Sequence, residues 1–345
     1  MEDGAAQAAT TSEIIAAARA ALATDVWDYI EGAAESETTA RRNRDALDRL
    51  ALRPRVLRDV SAPDTSCTLA GQAMRIPLLL APLGAMQVFT PAGGLAAARA
   101  AERFGIPVIV SSVTEPGLSE IAAQSGATKV AQIYVRGDER WTDELVDTIV
   151  AAGYAGVALT VDVAYYGRRE RQLRAGWRPP GHTAVGEPGR EWQARMDWDW
   201  MARMRDRAGL PFFVKGIQTA EDAERAAELG VEVIYVSNHG GRQLDHAEAT
   251  IETLREVVEA VGGRSQIVVD GGIERGTDVL KAIALGADAV GLGRLQAYAL
   301  AAGGADCLVR LLEILEDELR VAMGLLGVTR VAQLDQSYVK RTAWQ

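Results

Sequence analysis

Histidine is scarce in this chain of 345 residues, with three in all, and cysteine is scarcer still, with two. Cys67 and Cys307 are too few for a disulfide framework and lack metal-ligand spacing, so they read as core thiols in a reducing compartment, with no metal expected. Positive charge is short as well. With 37 Lys and Arg against 47 Asp and Glu the formal net charge is −10, which repels a nucleic-acid backbone from most of the surface and leaves any anion to a local cluster. No run approaches the roughly 18 uncharged apolar residues of a membrane span. The opening MEDGAAQAATTSEIIAAARAAL is acidic at its tip and lacks the basic-then-apolar order of a secretory leader. These absences argue against a disulfide scaffold, a nucleic-acid partner and a membrane partner, and lead us to expect a cytoplasmic protein.

What is present is 48% hydrophobic and 24% charged residues, the balance of a globular chain with an ample core. Short apolar runs bounded by turn residues recur at 76–82, 106–112, 129–135, 156–162, 211–216, 233–238, 266–272 and 287–293. Between them lie amphipathic segments such as GGLAAARAAERFG and GTDVLKAIALG, each closing on a glycine suited to a left-handed helix cap. Continuous apolar strands alternating with helices imply a parallel sheet buried on both faces. Eight such units close most simply as an α/β fold of the (β/α)8 TIM-barrel type, whereas an open doubly wound sheet has no need of that regularity.

The expected organisation is one domain over 1–345. Residues 1–75 form a helical extension, with helices at 12–23 and 38–49, a turn-rich DYIEGAAES and an extended LRPRVL, acting as a lid or plug. The barrel occupies 76–325 and a tail 326–345. A doubled interval between the fourth and fifth strands reads as an insertion at 163–210, Gly- and Pro-containing first and Trp-rich after.

Catalytic groups of such barrels sit where strands end, at the C-terminal face. Here those ends are polar: Ser111, Gln132 and Tyr134, Thr160 and Asp162, Lys215, Ser237 with Asn238 and His239, Asp270, and Arg294. His239 is flanked by Gly240 and Gly241, which let backbone approach a ligand, and by Arg242, whose planar fork suits a carboxylate. A base beside such a clamp suggests an anionic substrate that loses a neighbouring proton. Asp162 facing His239 would raise its basicity, and Arg169 would supply a second prong. Glycine clusters in VDGGIERGTD and VGLGR follow the seventh and eighth strands, where backbone N–H groups commonly cradle a phosphate.

Nearly the whole chain, through VWDYIEGAAES, RPRVL, LAPLGA, QIYV, LTVD, GRRE, VKG, SNHGGRQLD and DGGIERGTDVLKAIALGADAVGLGR, resembles the FMN-dependent 2-hydroxy-acid oxidases and dehydrogenases, a family that includes glycolate, lactate and mandelate enzymes. The resemblance implies FMN as cofactor and oxidation of an (S)-2-hydroxy acid to the 2-oxo acid. His239 would be the base and Asp162 its partner; Arg169, Arg242 and Tyr29 would bind the carboxylate, and Tyr134 the hydroxyl. Lys215 would stabilise the reduced flavin. Ser111, Gln132 and Thr160 would bond the ring edge, and the backbone of Pro82, Leu83 and Gly84 would approach its N5. Ser237, Asp270, Gly271, Gly272, Arg275, Gly293 and Arg294 complete the expected cofactor contacts, mostly along the phosphate arm.

Three positions depart from the family pattern. Glu274 stands where arginine is usual, with Arg275 or Arg294 as the expected compensation; Leu295 replaces a common proline; and Val113 occupies a place often aromatic. A small Val113 leaves room, lined by Tyr166, for a large or aromatic substrate side chain of the mandelate type. Oxygen, a quinone or a soluble carrier would take the electrons, since the N-terminal segment has no room for a fused haem unit. A homotetramer is implied by the resemblance, and the polar 163–210 interval argues against membrane docking. The rival readings are another FMN barrel activity and a non-catalytic flavin-binding barrel.

Overall fold

The computed structural model describes residues 6–179 and 191–342. Three short strands, β1 Leu50–Leu52, β2 Cys67–Leu69 and β3 Gln72–Met74, precede the barrel. The eight apolar runs become β4 Leu78–Leu80, β5 Val108–Ser111, β6 Lys129–Ile133, β7 Gly156–Thr160, β8 Phe212–Ile217, β9 Val233–Val236, β10 Gln266–Val269 and β11 Ala289–Leu292. They pair in parallel around a closed ring in the order β10-β11-β4-β5-β6-β7-β8-β9. Because this ring is sheathed by helices and filled by its own side chains, β6 and β7 are buried along their whole length.

Strand alternation places the site. Leu79, Ile109, Val130, Ala158, Phe213, Tyr235, Val268 and Ala289 point inward and pack together as the barrel's interior. Two residues further along each strand the same face carries Ala81, Ser111, Gln132, Thr160, Lys215, Ser237, Asp270 and Gly291. The period of two thus gathers polar groups from six strands into one layer above an apolar one.

The N-terminal residues divide between the barrel's two ends. The β2–β3 hairpin sends Leu69 and Met74 into the interior cluster and closes the floor. Helix α1, Thr11–Ala21, lies outside against the long helix Arg294–Leu326 rather than over the mouth. Two further helices, α2 Thr24–Glu31 and α3 Thr38–Asp48, reach the mouth. The DYIEGAAES segment, expected as turn, supplies the last turn of α2, since Val26, Trp27 and Ile30 give it a helical apolar stripe. Beyond the barrel, Val339–Arg341 forms β12, which pairs antiparallel with β1, a pairing between segments almost 300 residues apart that no local pattern announces.

The expected insertion divides in two. Its Trp-rich second half holds the helix Trp198–Ala208, capped by Asp197 and packed on β7 and on the helix Glu139–Ala151, with Arg203 bonded to Asp143 at 2.7 Å and Arg207 to Asp147 at 2.5 Å. This is the ordinary barrel helix after β7, so the added chain ends before it. Of the first half, residues 180–190 lie outside the described residues. Among the described residues no helix is long and apolar enough to cross a membrane.

Candidate active site

The base comes first. His239 follows β9 in a single 3-10 turn, His239–Gly241, and adopts φ +58°, a left-handed conformation costly for a side chain of this size. Neighbours hold it there: the His239 N–H donates to Ser237 Oγ at 3.1 Å, and Asn238 Oδ1 accepts from Gly241 N–H at 3.1 Å. Asn238 is in turn fixed by paired amide bonds to Asn43 of α3, at 2.9 and 2.8 Å. His239 Nδ1 lies 3.1 and 3.2 Å from the two oxygens of buried Asp162. A carboxylate can only accept, so Nδ1 carries the hydrogen and Nε2 keeps its lone pair, 3.4 Å from Tyr134 Oη. Burial pushes the imidazole below its ordinary value; Asp162 opposes this and Lys215 adds to it, so the ring rests neutral at neutral pH. Burial acts to raise the Asp162 carboxyl, but the charge His239 carries once protonated, its hydrogen bond and the charge of Lys215 outweigh it and hold the carboxyl below its ordinary value.

Two guanidinium groups stand beside this pair. Arg242 Nη1 donates to the carbonyls of Tyr29 at 2.8 Å, Ile30 at 3.2 Å and Gly32 at 2.5 Å, and its head group lies 5.2 Å from the centre of the Tyr29 ring. Arg169, at the N-terminal end of the helix Glu170–Ala175, donates to Arg242 O and Gln243 Oε1 at 3.5 and 3.4 Å. Burial first, then repulsion from Arg169 and Arg294, pushes Arg242 far below the ordinary arginine range, and burial pushes Arg169 down too. Carbonyl dipoles satisfy their hydrogens without cancelling their charge; an entering carboxylate would do so.

The rest of the mouth divides by position on the ring. Lys215 Nζ donates to Ser237 Oγ at 2.8 Å, Ser237 donates to Asp270 at 2.7 Å, and Lys215 lies 3.6 Å from Asp270. Pro82, Leu83 and Gly84 line the cavity. Ser111, Gln132 and Thr160 are buried beneath it; both amide atoms of Gln132 and the Thr160 hydroxyl find no hydrogen-bond partner among the described residues. Buried polar atoms are seldom left so unless a ligand completes them. At the opposite side Gly271 and Gly272 turn with φ +106° and +78°, and a Cβ at Gly272 would come within 2.9 Å of the Asn43 backbone. Gly293 and Arg294 also line the cavity, the latter donating to Ile30 O at 3.1 Å and Gly240 O at 2.9 Å.

One expected contact is corrected. Arg275 is absent from the cavity lining and turns to Glu318 at 2.7 Å, because it caps the helix Gly276–Ala284 on the side facing Arg294–Leu326. Arg44 of α3 stands at the lining instead, donating to Gly272 O at 2.7 Å. The sequence also concealed what the rest of SNHGGRQLD does. Gln243 holds the carbonyls of Asp162 and Tyr165 at 2.9 and 3.0 Å, and Asp245 accepts from Thr39 N–H at 2.9 Å, Ser36 N–H at 3.0 Å and Ser36 Oγ at 2.6 Å, anchoring the start of α3. The motif therefore builds the base, half of the clamp and the seat of the helix that roofs them.

The cavity enclosed by these groups is about 500 Å³, the size of a cofactor site, and the unpartnered Gln132 amide and Thr160 hydroxyl, with the Lys215 cation, fit the polar edge and electron-rich reduced form of a flavin. Comparison with known proteins agrees. A 4-hydroxymandelate oxidase of Amycolatopsis orientalis is 40% identical over 334 residues, 91% of this chain and 93% of its own. A peroxisomal (S)-2-hydroxy-acid oxidase of Oryza sativa subsp. japonica is 40% identical over 340 residues, 93% of each chain. A crystal structure of mandelate oxidase with benzoyl-formic acid matches with TM-score 0.90 at 38% identity, over 98% of this chain and 100% of that one. The family model described as FMN-dependent dehydrogenase matches residues 18–341, and the chain belongs to that family of FMN enzymes.

Proposed function

We propose that the enzyme oxidises an (S)-2-hydroxy acid with a large or aromatic side chain, of the mandelate type, to the 2-oxo acid, with oxygen as electron acceptor. The observation that carries this is the Asp162–His239 pair beside two half-buried guanidinium groups with no carboxylate to answer them among the described residues. The Arg169 and Arg242 forks bind the substrate carboxylate, and Tyr29 closes over it. That anchoring brings the 2-hydroxyl between Tyr134 Oη and His239 Nε2, where Nε2 takes one proton and Asp162 stabilises the imidazolium that results. FMN, when bound, would supply the redox chemistry, taking the two electrons and the second hydrogen that the substrate loses. Lys215, on the far side of Ser237, offsets the negative charge of the reduced cofactor, while Ser111, Gln132 and Thr160 bond its ring edge.

Side-chain size is supported by Val113 at the lining, whose small volume leaves space beside Tyr166 and Phe89. Arg136, two residues beyond Tyr134, also lines the mouth and makes no hydrogen bond or ion pair among the described residues, which favours a substrate ring with a polar far end. Oxygen as acceptor is supported by the oxidases among the relatives, including an L-lactate oxidase of a Nostoc species. A cytoplasmic homotetramer accords with this reading; the exposed Val56, Leu57, Val321 and Leu325 offer apolar surface for a subunit contact.

The test is anaerobic mixing of the yellow holoenzyme with (S)-mandelate, (S)-4-hydroxymandelate and (S)-lactate, followed by admission of air. Bleaching by the aromatic acids, with one peroxide per 2-oxo acid on reoxidation, is expected. A flavin that stays oxidised with all three would sink the proposal.

A further inference from the structure

The cavity's phosphate side, built by the loops after β10 and β11 and roofed by α3, has three arginines near it, and two of them are already paired with acids. Arg44 Nη1 donates to Gly272 O and to Asp278, both at 2.7 Å, and its Nη2 donates to Asp48 at 2.7 Å and Asp278 at 2.9 Å. Arg275 is paired with Glu318, whereas Arg294 has only the carbonyls of Ile30, Gly240 and Gly32, which hold its hydrogens and leave its charge in place. Against this stands Glu274, which lines the cavity and whose carboxyl accepts no hydrogen bond and forms no ion pair among the described residues.

The groups that face Glu274 are Glu31 from α2, Arg44 and Asp48 from α3, Asp278 from the helix that follows, and Tyr298 from Arg294–Leu326. Of these Arg44 alone is positive. Burial pushes the Glu274 carboxyl up, Arg44 pulls it down, and Asp278, Glu31 and Asp48 add to the rise, so that it stands above the ordinary carboxylate value. A phosphate dianion entering this corner would meet a carboxylate that has no ion-pair partner among the described residues.

We propose that Glu274 is a cofactor-binding residue that meets the FMN phosphate as a carboxylic acid, one proton from solvent being taken up as the cofactor binds and held between carboxyl and phosphate. This rests on the FMN reading of the site. A neutral carboxyl donates its O–H to a phosphate oxygen in a charge-assisted bond, whereas a carboxylate offers only repulsion. The backbone N–H groups of the Gly271–Gly272 turn and the Arg44 guanidinium supply the rest of the cradle. The sign follows from linkage: the complex holds the proton more tightly than the free protein does. Affinity is therefore gained as pH falls through the complex's titration and levels off once free Glu274 is itself protonated.

The experiment titrates FMN and riboflavin into cofactor-stripped protein by flavin fluorescence, over a pH range spanning the phosphate's own second ionisation near ~6. Binding heats in two buffers of different ionisation enthalpy count the protons. We expect the FMN dissociation constant to fall by up to about ten-fold per pH unit of acidification, with one proton taken up, and riboflavin binding to be flat. Glu274→Gln should bind FMN with little pH dependence, and Glu274→Arg should bind it tightly throughout, thermal melting serving to confirm that both are folded. A flat FMN profile in the parent overturns the proposal. So does a slope that survives in Glu274→Gln, since the proton would then belong to the phosphate alone. Failure of both flavins to bind at any pH would overturn the FMN reading as well.

Discussion

The two sides of the barrel mouth are built from the same kinds of residue and arrive at opposite electrical states. On the side of β6 to β9, half-buried Arg169 and Arg242 have carbonyl partners and, among the described residues, no carboxylate, so their charge is unanswered until substrate enters. On the side of β10 and β11, Arg44 and Arg275 are paired with acids of the protein, Arg294 alone keeps carbonyl partners, and a carboxyl, that of Glu274, is left without an ion pair among the described residues. Charge count therefore says little about where an anion binds. What decides it is which charges the protein has already paired, because a pre-paired guanidinium gains little from a second anion.

The sharpest way to break this contrast is at the base. His239→Asn should slow flavin reduction by at least 10²–10⁴-fold while leaving FMN affinity unchanged, as stopped-flow reduction and flavin titration would show. Next comes its partner. In Asp162→Asn an amide oxygen can still accept from Nδ1, but the imidazolium loses its counter-charge and the amide NH2 competes for the wrong tautomer, so turnover falls steeply. Asp162 raises the His239 pKa against burial, so its removal moves the acid limb of kcat/KM to lower pH. In the parent that limb already lies below the ordinary histidine value of about 6.5. A limb that moves upward in the variant would contradict the assigned pair. Arg242→Lys should raise KM for the hydroxy acid more than ten-fold, because a point charge replaces a fork that spans the carboxylate and the carbonyls of α2. Unaltered KM would remove the unanswered-charge argument for that side. The smallest effect concerns shape: Val113→Phe should cost aromatic substrates about ten-fold relative to (S)-lactate, measured as the ratio of kcat/KM values.

Much of the reacting side was legible in the sequence, because its groups sit at strand ends and strand alternation is local. Lys215, Ser237 and Asp270 are read as one layer from three apolar runs. SNHGGRQLD likewise places a base and a cation on one turn. The phosphate side was less legible. Arg275 follows Glu274 directly and looked like its replacement, yet its partner Glu318 lies on a helix of which the local pattern says nothing. Arg44, which does reach the lining, is remote in sequence and sits on a helix whose position depends on Asn43 meeting Asn238 and on Thr39 meeting Asp245. The helix Trp198–Ala208 was legible as a helix but not as the barrel's own, since only its packing on β7 distinguishes the two.

The sequence by itself determined eight inward-facing strands, the rim on which their polar residues gather, and the chemistry of those residues. These follow from periods of two and 3.6 and from side-chain composition, which act over a few residues at a time. The tertiary structure alone decided which of the arginines remain unanswered, which carboxyl is left without a partner, and how α3 closes the mouth. Pairing depends on distances between segments more than two hundred residues apart, and a charge declares its partner only when the chain has folded around it.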